Sequence, residues 1–338
     1  MMTYRTRKRI SKESNSKMFE NIIENFSINQ RWSQLILADY LKDCWRKFSA
    51  LKRNRFKTES KCIDFGLKSK TESLDAMPDY LRFNPWILSG YRSANLTTYG
   101  CLCSIVSLHN ETINIITHLV PLIYLIFNYS TIFHPKLFDS YLTYCHVIGC
   151  YSPWIGSSIY HIFMNHHRGK SIYSRLLQID MVGIWITQTF GALTTINASL
   201  KELSDPIRNR LVIIYLLLSL YALHKGLNAS IAWQRPCSFF LLVLIRALCF
   251  VVRISTHHHR SILDLNSSNN LGHIYWYVIG QELWPIIGAC IAVLRIPERF
   301  FPGRFDLIFN SHNIMHCLVL LGGFHMHIAF LNDIQYFI

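Results

Sequence analysis

SHNIMHCLVLLGGFHMHIAFL, residues 311–331, contains no Asp, Glu, Lys or Arg. At about 1.5 Å per residue it is long enough to cross a hydrocarbon core of about 30 Å as a single helix. Blocks of the same kind lie upstream at about 112–132, 140–163, 177–199, 210–227, 236–253 and 271–294. Together they predict an all-α membrane protein, a seven-transmembrane helix bundle. The composition agrees, with 51% apolar and 16% charged residues, too little charge for a soluble chain of this length. The fourth and fifth blocks are interrupted by His224, Lys225 and Arg246, which leaves a re-entrant or half-buried segment as the alternative there.

Residues 1–75 read as a basic cytosolic head, partly helical or disordered, in which amphipathic pieces such as FENIIENF alternate with basic runs. MMTYRTRKRI leads into polar residues with no apolar stretch behind it, so a cleavable signal is not expected. Residues 76–111, with Pro78, Pro85, Gly90 and Gly100, read as a juxtamembrane, interfacial segment. The seven-helix domain is expected over 112–331, and 332–338 as a short non-cytosolic tail. Before Thr112 there are 19 Lys and Arg against 11 Asp and Glu. That excess keeps the N-terminus in the cytosol and suits an anionic membrane face. The connections favour the same orientation by only eight basic residues to six. Nucleic acid is not expected as a partner, because the basic residues form no zinc-finger, basic-zipper or RNA-binding signature. The ten cysteines show no CxxC pair and read as buried thiols. The triplets Asn128-Tyr129-Ser130 and Asn266-Ser267-Ser268 match the glycosylation pattern but lie too near the spans to settle trafficking.

The chain has 16 histidines, so position matters more than number. His312 and His316 are four residues apart, on one face at the start of the seventh span. His161 ends the second span, which runs in the opposite direction, so all three fall at the same depth whichever way the molecule is oriented. Three imidazoles are a donor set for tetrahedral Zn²⁺ with one position open, as in catalytic sites. Asp180 lies near the start of the third span, at that same end. A carboxylate there is costly unless it is paired or functional, and it could serve as a general base. Ser157 is one turn before His161. The competing reading makes the histidines interhelical hydrogen-bonding groups and Ser157 a packing residue. The run His257, His258, His259 is expected in a solvated connection, and His325 and His327 as packing or polar-interior residues.

These residues fall within longer matching pieces: LSGYR (88–92), SLHNETINIITH (107–118), SSIYHIFMNHH (157–167), SRLLQIDMVGI (174–184), RIPERFFPGRFD (295–306) and NSHNIMH (310–316). Over roughly residues 80–331 the chain resembles the progestin and adipoQ receptor family, which includes the adiponectin receptors and the haemolysin-III-like proteins. FNPWILSGYR, HIFMNHH and PERFFPGRFD are most similar to a Golgi-associated, ceramide-linked branch. The resemblance implies a seven-helix bundle with a cytosolic N-terminus, opposite to G-protein-coupled receptors, and a zinc ion near the cytosolic leaflet. It implies His161, His312 and His316 as the metal ligands, with Asp180 and Ser157 as the catalytic pair.

Two functions follow as expectations. In the first, a zinc-dependent, ceramidase-like amide hydrolase acts on a ceramide-like membrane lipid, with zinc activating a water and Asp180 taking its proton. In the second, a receptor or regulator of sphingolipid signalling carries a structural zinc, and its head recruits a cytosolic partner. A transporter is disfavoured, because the chain has no internal repeat and no matched pair of broken helices. The expected location is a multi-pass endomembrane, the Golgi before the plasma membrane.

Overall fold

The computed structural model describes residues 71–263 apart from residue 232, and residues 271–335 with 337. The chain divides into two compact units, Met1–Lys68 with Ser130–His134, and Ser69–Tyr129 with Pro135–Ile338. The second unit holds the long helices. Almost all of the expected head, and the triplet at 266–268, lie outside the described residues.

Among the described residues the secondary structure is helical, with two isolated bridges, Glu72 to Tyr91 and Leu96 to His166. A strap of short turns leads into α1 (Thr98–Ser104), followed by α2 (Thr112–Phe127), α3 (Tyr141–Phe163) and α4 (Lys170–Ile186). A π turn over Thr187–Gly191 joins α4 to α5 (Leu193–Ser199). Then come α6 (Asp205–Leu227), α7 (Phe240–Leu263), α8 (Leu271–Leu294) and α9 (Ser311–Ile334). Each block expected from the sequence coincides with one of these helices or, for 177–199, with α4, its π turn and α5. Among the described residues, four helical stretches are long and apolar enough to cross a membrane: Lys170–Ser199, Asp205–Leu227, Tyr275–Leu294 and Ser311–Ile334. Thr112–Phe127 is a shorter apolar helix.

Three of the helices start where a side chain satisfies a free N–H group. Thr97 accepts from Gly100 N at 3.1 Å, Ser140 from Leu142 N at 3.3 Å, and Asn310 from Asn313 N at 3.0 Å. Large apolar side chains face outward, while polar and charged ones are buried beside apolar ones in the interior. Leu217, Leu248 and Phe240 turn 61%, 58% and 66% of their surface outward, while His118, His146, Ser157, Arg92 and Arg253 are buried. Lipid rewards that arrangement and water penalises it.

Arg246 does not break its helix. Its Nε and Nη2 donate to the two oxygens of Glu282 on α8 at 2.7 and 2.6 Å, and Nη1 reaches Tyr215 Oη on α6 at 3.0 Å. Arg253 makes a second buried pair across to α9, donating from Nη2 and Nη1 to Asp333 at 2.7 and 3.1 Å. The fourth and fifth blocks are two continuous helices, α6 and α7. The expected connection after residue 253 is also corrected. Once its arginines are paired, α7 continues to Leu263, and His257, His258 and His259 belong to this helix and not to a loop.

Contacts fix the helix directions. Glu111, His118 and Leu125 on the α2 side face His161, Ser157 and Tyr151 in turn, so α2 and α3 run oppositely. α3 and α4 also run oppositely and touch backbone to backbone. A Cβ on Gly156 would come 3.2 Å from Asp180 Cα, and one on Gly183 would come 2.6 Å from the Ser152 carbonyl oxygen. α9 lies parallel to α2, with Asn313 beside Asn114 and His316 beside Thr117, and antiparallel to α8, where Gly288 meets Met315 and Gly280 meets His325.

Gly183→Ala puts a methyl where the α3 backbone already is, and overpacking of this kind costs about 1–3 kcal/mol. A lower thermal midpoint of the detergent-purified variant is the expected result; an unchanged midpoint would mean that α3 and α4 part without cost.

Candidate metal centre

The C-terminal end of α3 and the N-terminal ends of α2 and α9 meet at one place. His161, His312 and His316 each bring a ring nitrogen to within 4.8 Å of the others, with His161 and His316 buried and His312 partly so. His312 Nε2 and His316 Nε2 are 3.3 Å apart. Two ligands of a tetrahedral zinc with Zn–N of about 2.0–2.1 Å are separated by about 3.3–3.4 Å, so this pair already has the spacing of an edge of that tetrahedron.

The outer nitrogens are held by protein groups. Glu111 Oε2 lies 2.7 Å from His161 Nδ1, and Thr117 Oγ1 lies 3.2 Å from His316 Nδ1. A carboxylate on Nδ1 fixes the tautomer and leaves Nε2 with its lone pair free for a metal. His161 Nε2 is buried and has no hydrogen-bond partner in the protein. An orphaned buried acceptor costs about 1–3 kcal/mol, and a cation among the three rings removes that penalty. The donor set therefore fits zinc. Glu111 is itself buried, and it accepts hydrogen bonds from His161 and from Asn114 Nδ2 at 2.8 Å.

Two elements far apart in sequence lock this end. Arg92, 1% exposed in the strap, donates to the His161 carbonyl at 2.6 Å, the Ile162 carbonyl at 3.0 Å, Ser104 Oγ at 2.9 Å and Asn165 Oδ1 at 3.1 Å. It thereby satisfies the open carbonyls at the end of α3, where a cation is also favoured by the helix dipole. Glu298, fully buried, accepts from Asn84 Nδ2 at 3.0 Å, from Ser311 N at 2.7 Å and from the Ser311 hydroxyl. It thus caps α9 one residue before His312. Asp306 accepts from Leu88 N at 3.0 Å and Ser89 Oγ at 2.7 Å. The stretches FNPWILSGYR and PERFFPGRFD are the two halves of one polar lock over the histidines.

Of the remaining expected site residues, Ser157 is buried with its hydroxyl on His118 Nδ1. Asp180 is half-buried on α4 opposite Gly156, close enough to His161 to interact electrostatically. Sequence reasoning gave no role to His118 or Glu111. His118 stacks on His316 with ring centroids 3.9 Å apart, setting that ring's orientation. The signal was present in SLHNETINIITH, where Glu111, Asn114 and His118 recur at helical spacing on one face.

Sequence comparison matches residues 106–328 to the haemolysin-III-related family. Progestin and adipoQ receptor family member 4 of Homo sapiens is 34% identical over 259 residues, covering 76% of this chain and 90% of the relative. ADIPOR-like receptor IZH2 of Saccharomyces cerevisiae is 26% identical over 271 residues, covering 74% and 80%, and heptahelical transmembrane protein 1 of Arabidopsis thaliana 26% over 266 residues, covering 73% and 76%.

Removing a group that orients a metal-bound histidine weakens metal affinity about 10–100-fold. Glu111→Gln is expected to lower zinc affinity by that factor, measured by competition with a chelator; equal affinity would mean that Glu111 does not set the His161 tautomer.

Proposed function

The chain belongs to the haemolysin-III-related family, and from that membership we propose that it is a seven-pass membrane enzyme whose zinc, held by His161, His312 and His316, serves to hydrolyse the amide of a ceramide-like lipid. The observation that carries the metal is the buried, unpartnered Nε2 of His161, facing two imidazoles that already stand 3.3 Å apart. The alternating helix directions from α2 to α4, and again between α8 and α9, favour seven passes with every histidine of the site at one depth. The basic head favours a cytosolic N-terminus and, with it, a site in the cytosolic leaflet. Residence in the Golgi or another endomembrane extends the likeness to the ceramide-linked branch.

Zinc bound there supplies Lewis acidity that polarises an amide carbonyl and brings the pKa of water towards about 7. The protein supplies the rest. Asp180 takes a proton from the attacking water and returns it to the amine as the C–N bond breaks, leaving a fatty acid and a sphingoid base. Ser157, set in place by His118, donates to the carbonyl oxygen as charge gathers on it. Outward-facing apolar helices let the lipid tails reach the bundle from the bilayer.

The second reading is a non-catalytic receptor with a structural zinc, favoured by the receptor names of two of the relatives. Elemental analysis of detergent-purified protein, followed by fatty-acid release from a ceramide panel, separates the two. His316→Ala is expected to lose one zinc equivalent and all release. Asp180→Ala is expected to keep its zinc and lose release by about 10²–10⁴-fold. Zinc without turnover in the wild type would establish the receptor reading, and no zinc dependence on His316 would remove the site.

A further inference from the structure

The far end of the same two helices holds another set of donors. His146 and Cys150 lie one turn apart on α3, and His327 lies on α9; all three are buried. His146 Nε2 is 3.0 Å from His327 Nδ1 and 3.2 Å from Cys150 Sγ, and all three ligand atoms fall within 4.8 Å of one another. Along α3 the cluster is 15 residues from His161, and along α9 it is 11 residues from His316. At 1.5 Å per residue that is about 16–22 Å, so the two groups share no donor.

The pocket is built rather than incidental. Gly149 and Gly191 bring α3 and the π turn into backbone contact, since a Cβ on Gly149 would sit 2.7 Å from Gly191 Cα. Thr187 Oγ1 closes the joint by donating to the Gly149 carbonyl at 2.7 Å. Phe330 lies flat on the His146 ring with centroids 3.9 Å apart and planes 5° from parallel. That stacking holds the ring with its Nε2 turned towards the other two donors. π turns themselves recur at functional sites.

We infer that His146, Cys150 and His327 form a second metal site, for a thiophilic transition ion, copper(I) or zinc(II). No carboxylate joins the cluster, which disfavours magnesium and calcium, while a thiolate with two imidazoles suits copper(I) and zinc(II). With metal–nitrogen bonds of about 2.0–2.1 Å and metal–sulfur bonds of about 2.3 Å, His146 Nε2 needs to move only a few tenths of an ångström further from each of the other two donors. Binding releases the Cys150 proton to solvent, and the ion replaces the contacts that the three side chains otherwise make with one another. The site requires neither the first metal nor hydrolysis.

The test uses the full-length protein in detergent, with zinc and copper counted by elemental analysis in a His316→Ala background, so that failure of the first site cannot mimic failure of the second. His316→Ala alone is expected to retain about one equivalent of zinc or copper, and the added Cys150→Ser to lose it. Which element is retained identifies the ion. Cobalt(II) loading is expected to give a thiolate charge-transfer band in His316→Ala that disappears with Cys150→Ser and changes with His327→Asn, which repeats the test through a different residue if the serine variant does not fold. A His316→Ala protein that holds no metal and shows no such band with added cobalt, zinc or copper(I) would make the trio a hydrogen-bonded core and overturn the proposal.

Discussion

The contact between Glu111 and His161 governs the rest of this end of the molecule. A carboxylate and an imidazole buried 2.7 Å apart leave little freedom to either, and each is tied onward. Glu111 accepts from Asn114, whose side-chain oxygen accepts from Asn313 at 2.7 Å, so α2 is pinned to α9 through the same charge that orients α3. The backbone of His161 is gripped by Arg92. Remove the carboxylate and three helices lose a common reference, because a half-satisfied polar network in a low dielectric is worse than none.

Polar side chains buried among apolar helices also explain how α7 keeps its place. Arg246 and Arg253 lie seven residues apart, two turns on one face, and each meets its acid on a different helix, Glu282 on α8 and Asp333 on α9. Such pairs specify which helices are neighbours more than they add stability, since their desolvation offsets much of their attraction. They do in the outer part of the bundle what the histidine and asparagine contacts do near α2.

The helices were legible in the sequence because their apolar length is a matter of counting residues. The convergence of His161, His312 and His316 was legible because depth follows from helix direction, and direction alternates. Rotation about the helix axis is harder to read. His118 faces His316, and His327 faces His146 and Cys150, only because α2, α3 and α9 present particular sides to one another, and a histidine on a uniformly apolar helix gives no hint of which side that is. The π turn compounds the difficulty, since it inserts a residue into the helical count between Asp180 and Asn197 and moves Gly191 against Gly149. The run at 257–259 was misplaced for a related reason, because α7 outlasts its apolar block, with Arg253 paired inside it.

The Arg92 clamp carries a consequence for the order of biosynthesis. Arg92 precedes the carbonyl it binds on His161 by 69 residues, and Asn84 precedes Glu298 by 214. A growing chain therefore exposes the strap long before its partners exist, and the guanidinium must stay hydrated at the membrane surface until α3 has been inserted. The lock over the histidines closes later still, when the segment carrying Glu298 leaves the ribosome. This end of the bundle closes only once α9 begins to emerge, so an interrupted chain can hold most of its helices in the bilayer while lacking the fold that brings its histidines together.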